Sequence, residues 1–295
     1  MVRPPAVAGA FYPAEASACR AQARSFVDGA APDAAIGQKR WIGGIVPHAG
    51  WICSGAIAGQ TIAALAASSQ RHPVDLIVVF GAVHSAAPLD VAALDTHARW
   101  DVPGGASDVP EELERRLVET SANLFRIDER FHRREHAVEV ELPLIQAAWP
   151  HAAVLPVEVP VVEQAARIGI ATARAVHQAG LGAVYLASSD LTHYGPAYHF
   201  APAGVGVGAL EWAKGNDRRL LGLVTDMQVE RIVPEVRDRL NACGGGAIAA
   251  MLAASREHGA SAGELLRHAN SYQTLAGVVD HGPDNAVGYA ALVVG

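Results

Sequence analysis

Lysine is almost missing: Lys39 and Lys214 are the only two in 295 residues. Lys and Arg together number 23 against 30 Asp and Glu, a net charge of −7. No cluster of basic residues stands out. A surface that tracks nucleic-acid phosphates is therefore not expected. The acidic balance gives no sign of an anionic substrate either. Cysteine is also scarce. Cys19, Cys53 and Cys243 cannot all pair, which excludes a disulfide framework and fits a reducing cytoplasm. No run of about 18 apolar residues is free of charge or Gly/Pro interruption, so no membrane span is expected. The first ten residues hold no stretch apolar enough for a signal peptide. What is abundant is apolar material, 51% of the chain, enough to fill a core and to exclude disorder. The length suits one α/β domain with insertions, spanning 1–295. Thirteen histidines invite a search for a metal site.

Strands are expected at Trp41–Val46, Asp75–Gly81, Ala152–Val159, Gly182–Ala187 and Asn285–Val294, with Leu265–Tyr272 pairing with the last. The middle runs are continuously apolar, as buried parallel strands are. Helices are expected over Gly55–Ser68, Pro110–Thr120, Val162–Ala179, Leu210–Val224, Val229–Leu240 and Gly245–Glu257, with Gly259 as a stop. The stretch 203–210 is apolar but glycine-rich and reads as a loop. Alternating strands and helices predict a mostly parallel sheet flanked by helices.

Three histidines follow three of these strands. His48 lies in Val-Pro-His-Ala-Gly-Trp, His84 in Phe-Gly-Ala-Val-His, and His193 in Ser-Ser-Asp-Leu-Thr-His-Tyr-Gly, with Asp190 three residues earlier. Ligands of open α/β sheets bind beyond the carboxyl ends of strands, so the three ends can converge on one crevice. Cys243 precedes three glycines and an apolar helix, where free N–H groups and the helix dipole favour a thiolate. The glycines also resemble a phosphate cradle, but no Lys-Ser/Thr follows them. Two His and one Cys make a three-ligand open site suited to Fe(II), Cu or Zn and unsuited to Mg²⁺ or Ca²⁺. His193 would then be a base that Asp190 orients. Cys19 and Cys53 are assigned to packing.

The segment Arg133-Arg-Glu-His-Ala-Val-Glu-Val-Glu-Leu-Pro-Leu is unusual. Read as a helix, it puts Glu135, His136 and Glu139 on one face. The bland reading is a solvated helix start with Arg133 and Arg134 as partners; the sharper one places Glu135 or His136 at a pocket rim. The other histidines, at 72, 97, 132, 151, 177, 199, 258, 268 and 281, are assigned to structure or surface. His199 and Tyr194 are held in reserve.

These stretches together resemble the Memo family, called protein B of the AmmeMemoRadiSam system in bacteria and archaea. Arg3-Pro-Pro-Ala-Val-Ala-Gly-Ala-Phe-Tyr-Pro, Val46–Gly55, Phe80–His84, Glu135–Pro143, Ser188–Gly195 and Cys243–Gly246 match in the family's order. The resemblance implies a fold similar to class III extradiol dioxygenases of the LigB type. Those enzymes hold non-haem Fe(II) with two His and a carboxylate. Carried over here, the ligands are His48, His84 and Cys243, with His193 as a further pocket residue beside Asp190. A thiolate replaces the carboxylate, which puts ring cleavage in doubt. Ala247 stands where a proline is expected, which softens the turn near Cys243. The resemblance also implies iron or copper, redox activity, and radical-SAM and AMMECR-type partners. Phe11, Tyr12, Trp51 and Tyr194, with Glu135 and His136, are candidates to line a substrate pocket; the aromatics fit a core equally well.

Three functions compete. The leading one is a mononuclear metal oxidoreductase, dioxygenase-like, acting on a phenol or another small aromatic. A non-catalytic metal-binding or interaction protein needs the same ligands. A metal-free hydrolase would use Cys243 as nucleophile, His193 as base and Asp190 as orienter, but leaves His48 and His84 unused.

Overall fold

A strand with apolar side chains at every position must be covered on both faces. Leu76–Gly81 is such a strand: Leu76, Val78 and Phe80 enter one core and Ile77 and Val79 the other. Tyr185 and Ala187 alternate with Val184 and Leu186 between the same two cores. In the computed structural model these segments form the middle of one sheet. The structure describes residues 1–295 except 31, 33, 71, 280 and 281, and the side chains at 34 and 35. The strands are β1 (Val2–Arg3), β2 (Gly43–Val46), β3 (Leu76–Gly81), β4 (Ala92–Leu94), β5 (Arg99–Val102), β6 (Gly105–Asp108), β7 (Phe125–Ile127), β8 (Ala153–Glu158), β9 (Ala183–Ser188), β10 (His193–Tyr194), β11 (Gly263–Asn270) and β12 (Ala286–Val294).

Among the described residues the main sheet has the order β10-β12-β2-β9-β3-β8-β4-β7, and β11 pairs with β12. The pairs β2–β9, β9–β3 and β3–β8 are parallel. The flanks bring in antiparallel pairs at β12–β2, β11–β12, β10–β12 and β4–β8. Strands β1, β5 and β6 form a separate small sheet. The chain is thus an α/β domain with a central sheet flanked by helices, parallel across its middle.

One face is covered by helices Ala165–Gln178, Val207–Thr225, Val229–Arg239 and Gly245–Glu257, whose buried side chains join the first core. Helices Ala16–Asp28, Trp51–Ser69 and Leu142–Ala148 cover the other. Helix Trp51–Ser69 is long and apolar enough to cross a membrane, contrary to the expectation that nothing in the chain would be. Its buried positions are core positions: Ile62, Ala64 and Leu65 have no exposed surface.

The six predicted strands and six predicted helices are present with shifted ends. The region read as a loop at 203–210 becomes helical from Val207. Gly259 does stop its helix, in the left-handed region at φ +95°. Strands β1, β4 to β7 and β10 were not expected, nor were helices Ala16–Asp28, Ala34–Gln38, Leu142–Ala148 and Ser271–Thr274. The unexpected strands are two to four residues long, too short to carry a period-2 pattern.

Candidate metal centre

Parallel register sets the site. Val46 and Gly81 both lie opposite Ser188, and Gly81 also lies opposite Glu158. Four strands therefore end at one side of the sheet, and three of them lead within three residues to His48, His84 and Asp190. Strand β12 runs the other way, so its first residues reach the same side, where Val287 pairs with His193.

Cys243 arrives from the opposite layer. Helix Gly245–Glu257 begins against the strand ends so closely that side chains would not fit. A Cβ on Gly246 would lie 2.0 Å from the Pro160 carbonyl, and one on Gly244 would lie 2.7 Å from Ser189 Cβ. The glycines are filled by protein contact, so they serve close packing and not a phosphate cradle. The Gly244 N–H donates to Ser189 Oγ (2.9 Å) and the Cys243 N–H to the Asp190 carbonyl (3.3 Å).

The donor atoms meet. Cys243 Sγ is 3.3 Å from His48 Nε2, and its charge acts on the His84 imidazole. Ring nitrogens of His48, His84 and His136 all lie within 4.8 Å of one another. The three rings are 4.5 to 5.1 Å apart between centroids. His48 is buried, while the side chains of His84 and His136 keep 33% and 21% of their surface exposed. The cluster thus has a closed side and an open side.

Tautomers follow from the outer hydrogen bonds. Ser188 Oγ donates to the Ala137 carbonyl (2.6 Å), so it accepts from His48 Nδ1 at 2.9 Å. That leaves the His48 Nε2 lone pair facing the sulfur. His84 Nδ1 donates to Glu135 Oε1 at 2.8 Å, which leaves Nε2 as the ring nitrogen not engaged by Glu135. A carboxylate behind an imidazole fixes ring orientation and raises donor strength at metal sites. Glu135 is saturated: it also accepts from the N–H groups of His84, His136 and Ala137, and His136 Nδ1 lies 3.2 Å away. Burial opposes its charge, but His136 and His84 hold its carboxyl far below the usual range. Burial lowers His84 as well; the sulfur of Cys243 and Glu135 outweigh it and push the imidazole up to about 10. Burial holds His48 well below the usual value.

The segment carrying Glu135 and His136 is not a helix, contrary to expectation. Residues 132–138 form turns, and a single 3₁₀ turn covers Glu139–Glu141. Glu135 and Glu139 consequently diverge. Glu139 is fully buried and pairs with Arg3 at 2.7 Å. It also accepts from the N–H groups of Ala6 and Val7 and from Tyr12 Oη. Arg3 donates to the carbonyls of His132 and Glu135 and sits 3.9 Å over the Trp100 ring. The N-terminal segment therefore clamps the turn that presents Glu135.

Asp190 Oδ1 accepts from the His48 N–H at 2.9 Å, and the Ala49 N–H also bonds this carboxylate. Its Oδ2 is 3.9 Å from His193 Nε2, beyond hydrogen-bond range. Asp190 thus shapes the His48 loop and does not hydrogen-bond His193 here. Burial pushes the Asp190 carboxyl up to about 7 and the His193 imidazole down to about 4. His193 Nε2 is shielded and has no partner among the described residues. Its ring lies 5.1 Å from that of Tyr198.

The aromatic residues divide. Phe11 lies 4.8 Å from the His136 ring and borders the site. Tyr12 and Trp51 are buried core residues, bonded to Glu139 and to the Val140 carbonyl. Tyr194 is fully buried and bonds the Gly204 carbonyl. The polar ends of all three are satisfied inside the fold. His199 is exposed in a left-handed turn. Buried His132 bonds the Ala93 carbonyl, His258 bonds Tyr185 and His268 bonds Asp217. His281 lies outside the described residues. Cys19 is buried and Cys53 partly so, near Tyr289.

A model of Memo-like proteins matches residues 3–293. The chain belongs to the Memo family. It is 33% identical to a MEMO1 family protein of Methanococcoides burtonii over 99% of this chain and all of that protein. A MEMO1 family protein of Methanothermobacter thermautotrophicus is also 33% identical, and one of Methanosarcina barkeri 31%, each over 99% of this chain and the whole of the relative. Within this Memo chain, the sequence left Glu135 and His136 open between a solvated helix start and a pocket rim; the structure has both lining a cleft, with His136 also beside His48 and His84 in the imidazole cluster. Two supporting residues had no distinctive signal. Ser188 is one. Glu158 is the other: it is fully buried at the end of β8, neither of its oxygens has a hydrogen-bond partner among the described residues, His132 Nδ1 lies 3.7 Å from Oε1, and burial and the Glu135 charge raise its carboxyl well above the usual range.

Proposed function

We propose that this protein is a mononuclear non-haem metal protein whose ion is held by His48, His84 and Cys243, with His136 alongside. The 3.3 Å approach of Cys243 Sγ to His48 Nε2 carries the reading. Ligands sharing one ion at about 2.1 Å (N) and about 2.3 Å (S) lie about 3.1–3.6 Å apart for angles between 90° and tetrahedral. Both outer nitrogens are engaged away from the cluster, as ligating histidines require. The donor set therefore fits a borderline-soft ion: Fe(II) first, with Cu and Zn as other occupants.

When bound, such an ion supplies Lewis acidity and, for iron or copper, electron transfer. The residues supply the rest. Buried His48 closes one side, and part-exposed His84 and His136 leave the other open to a small molecule. Neutral His193 holds an unpartnered nitrogen suited to take a proton from a substrate hydroxyl. Phe11 beside His136 offers an aromatic wall. The reaction proposed is a dioxygenase-like oxidation of a phenol or other small aromatic. Family resemblance supports radical-SAM and AMMECR-type partners, and three cysteines that cannot all pair fit a reducing cytoplasm. The metal-free hydrolase is disfavoured, because among the described residues the imidazole that hydrogen-bonds the sulfur is that of His48, not His193.

Elemental analysis of anaerobically purified protein tests the reading. About one iron per chain is expected, lost in His48→Ala/Cys243→Ser. Full occupancy in that variant, or no metal in the wild type after Fe(II) or Cu loading, would sink it.

A further inference from the structure

The open side of the cluster faces a cleft of about 280 Å³. Its lining residues include His84, Glu135 and His136 from the cluster, Phe131, and Arg130, Arg133 and Arg134. These arginines differ in their commitments. Arg130 is held by both oxygens of Asp128. Arg133 and Arg134 are exposed and have no side-chain partner among the described residues. The single carboxylate lining the cleft, Glu135, is saturated by two imidazoles and three backbone N–H groups. So the mouth of this cleft carries two free positive charges and no free negative one, in a chain whose net charge is −7. A solvated helix face would have explained these arginines, but the segment is not helical and they stand at a cavity.

We infer that Arg133 and Arg134 bind the anionic group of a small organic acid, a carboxylate or phosphate ester, whose remainder reaches into the cleft beside His84 and His136. The location of the reacting end rests on the metal reading above; the charge preference does not. Guanidinium groups match carboxylate and phosphate oxygens in pairs, and a local positive field in an acidic protein steers anions to that one place. The cleft volume limits the ligand to a small molecule. The expectation drawn from net charge concerned the whole chain, and total charge says nothing of local charge.

Calorimetric titration with benzoate, phenyl phosphate and neutral benzamide tests the inference, in wild type and in Arg133→Gln/Arg134→Gln. Metal content is measured on each sample. The expected result is that at least one anion binds about tenfold or more tighter than benzamide, and that higher salt weakens only the anion. The variant should lose that preference while keeping its metal and its melting temperature. The tighter anion identifies the head group as carboxylate or phosphate. Equal affinity for benzoate, phenyl phosphate and benzamide, an unchanged preference in the variant, or no binding of either anion up to millimolar concentration would overturn it. A charge preference in protein that takes up no metal would leave this inference standing and remove the metal reading alone.

Discussion

The two sides of the imidazole cluster are built differently. His48 and His84 leave parallel strands whose register is fixed by the sheet, and Cys243 leaves a helix wedged against those strand ends. Glu135 and His136 come from an irregular turn held by Arg3, Glu139 and Tyr12. A position on a strand end needs only the core to form. A position on a turn needs its own polar partners, each from elsewhere in the chain. On the metal reading proposed above, the first side supplies the ligands, and the second is a wall that orients them, with His136 within 4.8 Å of both histidines.

The sharpest break between the two sides is the metal itself. His84→Ala should lower metal affinity at least a hundredfold, whereas His136→Ala should change it by no more than about threefold. The ratio expected is that between a ligand and its surroundings. Competition with a chromophoric chelator reads both. Equal losses would make His136 a full ligand and erase the distinction drawn here.

Stability separates them next. Arg3→Ala leaves Glu139 charged and buried, and such a break costs about 3–5 kcal/mol. The chain should show a lower midpoint in denaturant at unchanged slope. Arg3→Ala/Glu139→Gln should recover part of the loss, because it removes the orphaned charge. A loss under about 1 kcal/mol in the single variant would show that the turn stands without its clamp.

Glu135 joins the two sides, bonding His84 from the turn. Glu135→Gln keeps the shape but loses the charge behind the imidazole. Metal affinity should fall about 10–100-fold, the usual range for a partner behind a ligating histidine. An unchanged affinity would detach the turn from the metal altogether.

This difference also decides what could be read from sequence. The central strands are continuous apolar runs, and the sequence placed His48, His84, His193 and Asp190 just beyond their ends without any structure. Cys243 stood out by its three glycines. The turn could not be read this way. Its spacing of charged residues imitates a helix, while the partners that unwind it, Arg3 and Tyr12, lie 127 to 136 positions away. For the aromatic residues the sequence left core and pocket open; the structure buries Tyr12, Trp51 and Tyr194 and sets Phe11 beside His136. The free charge of Arg133 and Arg134 was likewise hidden, since only the fold shows which carboxylates are already taken.

The smallest effect lies behind the clamp. Glu114 is buried in the first turn of helix Glu111–Thr120, beside Asp95, which accepts from Trp100 Nε1 under Arg3. Burial and the neighbouring Asp95 push its carboxyl up to about 8 from an ordinary value of 4.5. The folded chain thus holds a proton there that the unfolded chain releases. Between about pH 4.5 and 8 the folded state binds more protons, so stability falls as pH rises. Below that window both states are protonated and the penalty vanishes; above it the full penalty remains. Glu114→Gln should therefore raise the melting temperature at pH 8.5 by about 2–4 °C and change it little at pH 4.5. His48, His84 and Cys243 lie outside this network, so metal content should not follow. A gain of equal size at both pH values would mean that packing, and not the trapped proton, links Glu114 to the turn.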